Sequence, residues 1–116
     1  MKYMLLIYGS EAEHRQLSPE ALQAEMAAYY AYSDAAQKAG VLVASNALHE
    51  VQTAKTVRVR EGKALTTDGP FAETKEQLGG YYLLDCKDLD EAIKWAAKLP
   101  GAAGGSVEIR PIVVFG

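Results

Sequence analysis

The residues best suited to chemistry gather around one acid. Asp68 lies in the stretch Thr67-Asp68-Gly69-Pro70-Phe71-Ala72-Glu73-Thr74-Lys75-Glu76. Gly69 allows backbone angles that other residues resist, and Pro70 fixes its own φ and restricts the residue before it. Such a turn either serves a shape or presents Asp68. In a cleft that desolvates it, Asp68 has a raised pKa and acts as a general acid or base. In the alternative its carboxylate accepts backbone N–H bonds and closes the turn. His49, at the end of a strand, and His14, in the loop after the first strand, are the candidate proton-transfer helpers. Arg110 and Glu108 stand two apart on one strand face. Arg110 would hold a carboxylate or phosphate, or pair with Glu108. Phe71 and Tyr81 are the aromatics placed to stack on a planar ligand.

Other chemistries are poorly supplied. One cysteine, Cys86, and two histidines make no metal-ligand cluster. Cys86 sits in an apolar run and reads as a small buried thiol. Gly79-Gly80 lacks the strand-to-helix setting of a phosphate loop and is expected where a strand begins and backbones approach closely. Glu73, Lys75 and Glu76 read as a charged connector. No cofactor is expected.

The elements that must position these residues follow from periodicity. Tyr3 to Tyr8 reads as a strand ended by Gly9, with a polar loop from Glu11 to Leu17. Ser18 and Pro19 open a helix, and Leu22, Met26, Tyr29, Ser33 and Ala36 recur along it until Gly40. Val41 to Leu48 is a second strand, with Val41, Val43, Ser45 and Ala47 on one face. Thr56 to Arg60 and Lys63 to Thr67 form a hairpin about Glu61-Gly62. Tyr81 to Cys86 is a further strand. Asp88 caps a second helix with Glu91 in a capping-box position, and Pro100-Gly101 ends it. Ala102 to Gly105 reads as a loop. Val107 to Phe115 is the last strand, with Pro111 marking an edge or bulge. The order β-α-β, hairpin, β-α-β is the split βαβ, ferredoxin-like plan: an α+β fold with two helices on one face of an antiparallel sheet.

The strands are apolar on both faces, and two helices cover one. Tyr3, Leu5 and Ile7 oppose Met4, Leu6 and Tyr8, and Tyr81 and Leu83 oppose Tyr82 and Leu84. A second copy packed through a two-fold axis is the simplest cover, so a homodimer is expected.

The 116 residues fit one domain, 49% hydrophobic and 23% charged, with a core large enough to need no disulfide. A net charge of −3 and a pI near 5.3 argue against direct nucleic-acid binding. The start, Met1 to Gly9, is too short for a signal peptide, and Glu11 and Glu13 follow it. No run reaches membrane-spanning length. A cytoplasmic location is expected, with no membrane partner.

The stretch Thr67 to Leu83, with its Asp68-Gly69-Pro70-Phe71 core, resembles the hallmark of the DGPF-type, YCII-related domain family. Lys2 to Gly9, Thr56 to Arg60, Leu89-Asp90-Glu91-Ala92 with Trp95-Ala96, and Gly105 to Pro111 resemble its flanking segments. The resemblance implies a dimeric α/β-barrel across 1–116. It also implies a His-Asp pair in a cleft, for which Asp68 is the matching acid. The family's histidine position, near the start of the first helix, carries Ala21 and Leu22 here. A link with sigma-factor regulation implies a regulatory protein partner as the alternative. The expectation is a small-organic-ligand protein, with acid–base isomerase or lyase chemistry if it is an enzyme.

Overall fold

The computed structural model describes residues 1–116. Its elements in chain order are β1 (Lys2–Gly9), α1 (Glu11–His14), α2 (Pro19–Lys38), β2 (Leu42–Ala47), a 3₁₀ turn (Val51–Thr53), β3 (Lys55–Arg60), β4 (Lys63–Asp68), β5 (Gln77–Asp85), α3 (Leu89–Ala97), α4 (Gly101–Gly104) and β6 (Ser106–Pro111). Four strands form one antiparallel sheet in the order β2-β5-β1-β6. β5 thus lies between β1 and β2, as the split βαβ, ferredoxin-like plan requires. No helix is long and apolar enough to cross a membrane.

Local chemistry sets the helix limits. The Ser18 side chain accepts from the Ala21 N–H and Pro19 occupies the first turn, so α2 starts where its free N–H groups are met. Asp88 caps α3 by accepting from Glu91 N–H, and the Glu91 carboxylate accepts from Lys87 N–H just outside the helix. Two segments expected as loops contain single helical turns. Ser10 caps Glu11–His14, and α4 fills Gly101–Gly104 after Pro100.

The core lies between α2, α3 and one sheet face. Tyr3, Leu5, Tyr82 and Leu84 from the sheet meet Tyr32 and Ala36 from α2 and Ala92, Ala96 and Leu99 from the α3 side. Tyr32 packs edge-on against Tyr82 and Trp95, with centroids 5.0 and 5.7 Å apart. Its hydroxyl donates to the Trp95 carbonyl at 3.0 Å, which makes its burial affordable. Cys86 is buried as expected, and burial pushes its thiol up to about 11.

Several strand limits differ from expectation. β5 begins at Gln77, so Gly79 and Gly80 lie inside it. Gly80 is where backbones crowd: a Cβ there would lie 2.9 Å from the Asn46 carbonyl oxygen. β1 and β5 shift register between Ile7 and Tyr8, leaving Gly79 as a bulge. β2 shifts register at Val43, so Leu42 and Ser45, rather than Val43, share the helix-facing side. The last strand ends at Pro111 rather than Phe115, and β6 is an edge strand, where a proline is tolerated.

β3 and β4 form a separate two-stranded arm. Glu61 and Gly62 both have positive φ, the two-residue primed turn that suits strand twist. Val57, Val59 and Leu65 on the arm are 61%, 62% and 50% exposed.

Candidate functional site

α2 does not lie flat on the sheet along its whole length. Its C-terminal half is pinned by buried Tyr32 and Ala36. Toward its N-terminus the stripe turns polar at Glu25, and a cleft of about 1060 Å³ opens against the sheet. α1, the end of β2 with His49 and Glu50, the start of β5 and α4 complete the wall. A volume of this size suits a small organic ligand.

His14 faces this cleft. Ser10 fixes α1 at its first turn by accepting from Glu13 N–H. The Gln77 side chain accepts from Glu11 N–H at 2.9 Å, and the Glu11 carboxylate accepts from Val51 N–H at 3.0 Å. These bonds fasten α1 to β5 and to the turn after β2. From this position His14 Nε2 meets Glu25 Oε1 of α2 at 2.8 Å. The carboxylate oxygen can only accept, so Nε2–H is the donor in this contact. The pair is half-exposed, so it is reachable from solvent.

Tyr29 lies one turn deeper on the same helix stripe. Burial raises its pKa, while the Gly101 backbone N–H at the start of α4 opposes that shift. The Ser33 and Tyr82 hydroxyls are joined at 2.6 Å below it. Arg15 binds Glu50 through Nε and Nη2 at 3.1 and 2.9 Å, and Nη2 lies 3.9 Å from Glu11. The guanidinium is therefore occupied by two carboxylates of the cleft wall.

The residues singled out in the sequence do not form one constellation within the chain. His14 and His49 both line the cleft. Tyr81 belongs to its β5 edge, but register sets its side chain on the opposite sheet face beside Asn46, whose Nδ2 donates to the Tyr81 hydroxyl at 2.8 Å. Asp68 is at the base of the arm, exposed and ion-paired with Lys55. Gly69 N–H donates to the Ala54 carbonyl and Thr56 Oγ1 to the Gly69 carbonyl, so backbone and threonine bonds close this turn. Phe71 is 80% exposed beyond it. Arg110 Nε donates to Glu108 at 2.5 Å, and both stand opposite Met4 and Leu6 on the open face. Glu108 also borders a shallow depression with Tyr8, Lys75 and Ser106.

Glu25 is the residue that sequence reading passed over. Its signal was available: Leu22, Glu25 and Tyr29 share a helix stripe by i, i+3 and i+7 spacing, and a carboxylate in an apolar stripe asks for a partner. The His14 contact was not legible, because it depends on how the chain between α1 and α2 folds back. No group of three or more histidine, cysteine, aspartate or glutamate side chains is arranged to hold a metal ion.

A model of the YCII-related domain matches residues 1–116. An uncharacterized protein of Rhizobium meliloti (strain 1021) is 38% identical over 117 residues, covering 99% of this chain and 94% of the relative. The match runs the length of the chain, through the cleft-forming elements as well as the arm, and the chain belongs to the YCII-related domain family.

Proposed function

We propose that the protein binds a small organic molecule in the α2–sheet cleft and moves a proton there, with His14 as the transfer group and Glu25 orienting it. The observation that carries this reading is the 2.8 Å contact between His14 Nε2 and Glu25 at the edge of a ligand-sized cavity. A carboxylate that holds one ring nitrogen fixes the tautomer and leaves the other to accept a proton. The chemistry fits an isomerase or lyase step that needs no redox group. His49, Asp68 and Arg110 keep secondary roles in this reading: His49 from the opposite wall, Asp68 and Arg110 in a complete assembly.

That assembly is a homodimer. Met4, Leu6, Tyr8, Tyr81 and Leu83 are only partly buried on the open face, and no element of the chain covers them. A second copy packed sheet to sheet would cover these residues. A single monomeric species by light scattering at micromolar concentration would overturn this part.

The cleft is tested by a thermal-shift screen of small metabolites against wild type, His14→Asn and Asp68→Asn. A shift lost in His14→Asn and kept in Asp68→Asn supports the reading, and the reverse moves the site to Asp68. Solvent deuterium entering the ligand, followed by NMR, separates proton transfer from plain binding.

The arm favours a second reading, a regulatory module for a transcription regulator of the sigma class. Arg58, Arg60 and Lys63 share one of its faces with half-exposed Leu65 and have no ion-pair partner. Loss of such a partner on Arg58→Glu, with ligand binding unchanged, would support it.

A further inference from the structure

Resting on the cleft as the binding site, we infer that its ligand is a small organic cation, such as a protonated amine on an apolar body. The sequence alone had suggested an anionic ligand held by Arg110. The cleft wall has the opposite character. Its charged side chains are Glu11, Glu13, Glu25 and Glu50, and neither lysine nor arginine lines it. The nearest guanidinium, Arg15, is bound by Glu50 and lies beside Glu11. Arg110, the anion anchor expected from sequence, is paired with Glu108 on the other sheet face.

The four carboxylates differ in what they have left to offer. Glu50 is committed to Arg15, and Glu11 to Val51 N–H. Glu25 gives one oxygen to His14 and keeps the other free. Glu13 makes no side-chain contact of its own. Both free acceptors therefore belong to the rim formed by α1 and α2. Inside that rim the walls are Leu22, Met26, Tyr29 and Leu48, a thioether and an aromatic face among aliphatic surface. An ammonium group satisfies the carboxylates by charge-assisted hydrogen bonds, and its organic body buries apolar area. An anion entering the same space would meet Glu13 and Glu25 with no lysine or arginine left free to receive it, since Arg15 is already taken by Glu50.

The test compares matched probes by isothermal titration: 2-phenylethylamine, putrescine and agmatine against phenylacetate and succinate. Wild type should bind at least one amine and neither carboxylate. Glu25→Gln and Glu13→Gln, which keep shape and remove charge, should each weaken the amine about tenfold or more. Ala47→Trp, a filling substitution on the cleft wall, should abolish binding while the melting curve stays cooperative. Carboxylate binding that Ala47→Trp abolishes would keep the cleft and overturn the charge assignment. Amine binding indifferent to Ala47→Trp would overturn the site itself, and no binding by any amine would overturn the inference.

Discussion

Gly105→Ala is expected to be among the most damaging single-methyl changes in the chain. A Cβ at position 105 would lie 2.2 Å from the Tyr8 carbonyl oxygen, 3.2 Å from the Gly101 carbonyl oxygen and 3.2 Å from Gly9 Cα. All three neighbours are backbone, so no side-chain rotation makes room. Relief requires α4 to move away from the end of β1, and both form part of the cleft wall. Overpacking of this kind costs about 1–3 kcal/mol, and a rigid neighbour on every side points to the upper end, about 3 kcal/mol. For a domain of 116 residues that is a fall in Tm of about 12 °C. Gly104→Ala is the internal control. Nothing lies within 4 Å of a Cβ at 104, and alanine in a helical turn gains up to about 1 kcal/mol over glycine. Urea melts of both variants at fixed pH, with m-values compared, read the difference directly. Equal midpoints for the two variants would refute the close-approach reasoning, since the residues are neighbours of identical type.

Gly69 has φ of +93° with open space around it, so Gly69→Val should cost about 1–3 kcal/mol from backbone strain alone; a wild-type melting curve would contradict that. Tyr32→Phe removes the donor to the Trp95 carbonyl and should lower stability by about 1 kcal/mol in urea titration. Leu84, 0% exposed at the centre of the core, should lose about 2–5 kcal/mol as Leu84→Ala. Alkaline stability follows from Cys86, whose thiol is pushed from 9.0 to about 11 chiefly by burial. The unfolded thiol ionises first, so the folded state is undisturbed below about pH 9 and loses stability as pH rises to about 11. Burial raises Tyr29 and Tyr32 in the same direction. Urea midpoints taken from pH 8 to 11 should fall across that window, less steeply in Cys86→Ala, and a flat profile would sink the argument.

The fold was legible because its signals are local and redundant. Ser18-Pro19 and Asp88 with Glu91 announce helix starts, and Glu61-Gly62 announces a hairpin whatever surrounds it. The two one-turn helices escaped, since α1 and α4 are too short to show a period and rest on caps and tertiary bonds. β5 starting at Gln77 escaped because two glycines normally interrupt a strand. Here Gly80 is required by the approach of β2. The candidate site was legible only in part. His14 was visible as a titratable group, but its partner lies 11 residues away on another helix. The Asp68 turn drew the eye through its unusual residues. Their local use is a sharp corner closed by the Gly69 and Thr56 bonds, with Asp68 facing Lys55 across the arm.

The register shift at Gly79 divides β5 into two stretches of opposite parity. From Gly80 onward, even-numbered residues point to the helices, as Tyr82 and Leu84 do. Before it, Leu78 stands opposite Tyr8 and Gln77 opposite Gly9, and the odd-numbered Gln77 reaches the helix side to hold α1. The strand thus obeys one alternation for its core and another for the cleft. Substitutions that tune the hydrophobic pattern from Tyr81 to Asp85 leave the Gln77 anchor untouched. Deleting one glycine would rejoin the two patterns and turn that anchor to the wrong side of the sheet. This chain can therefore gain or lose a residue around the bulge only if α1 is fastened to the sheet in some other way.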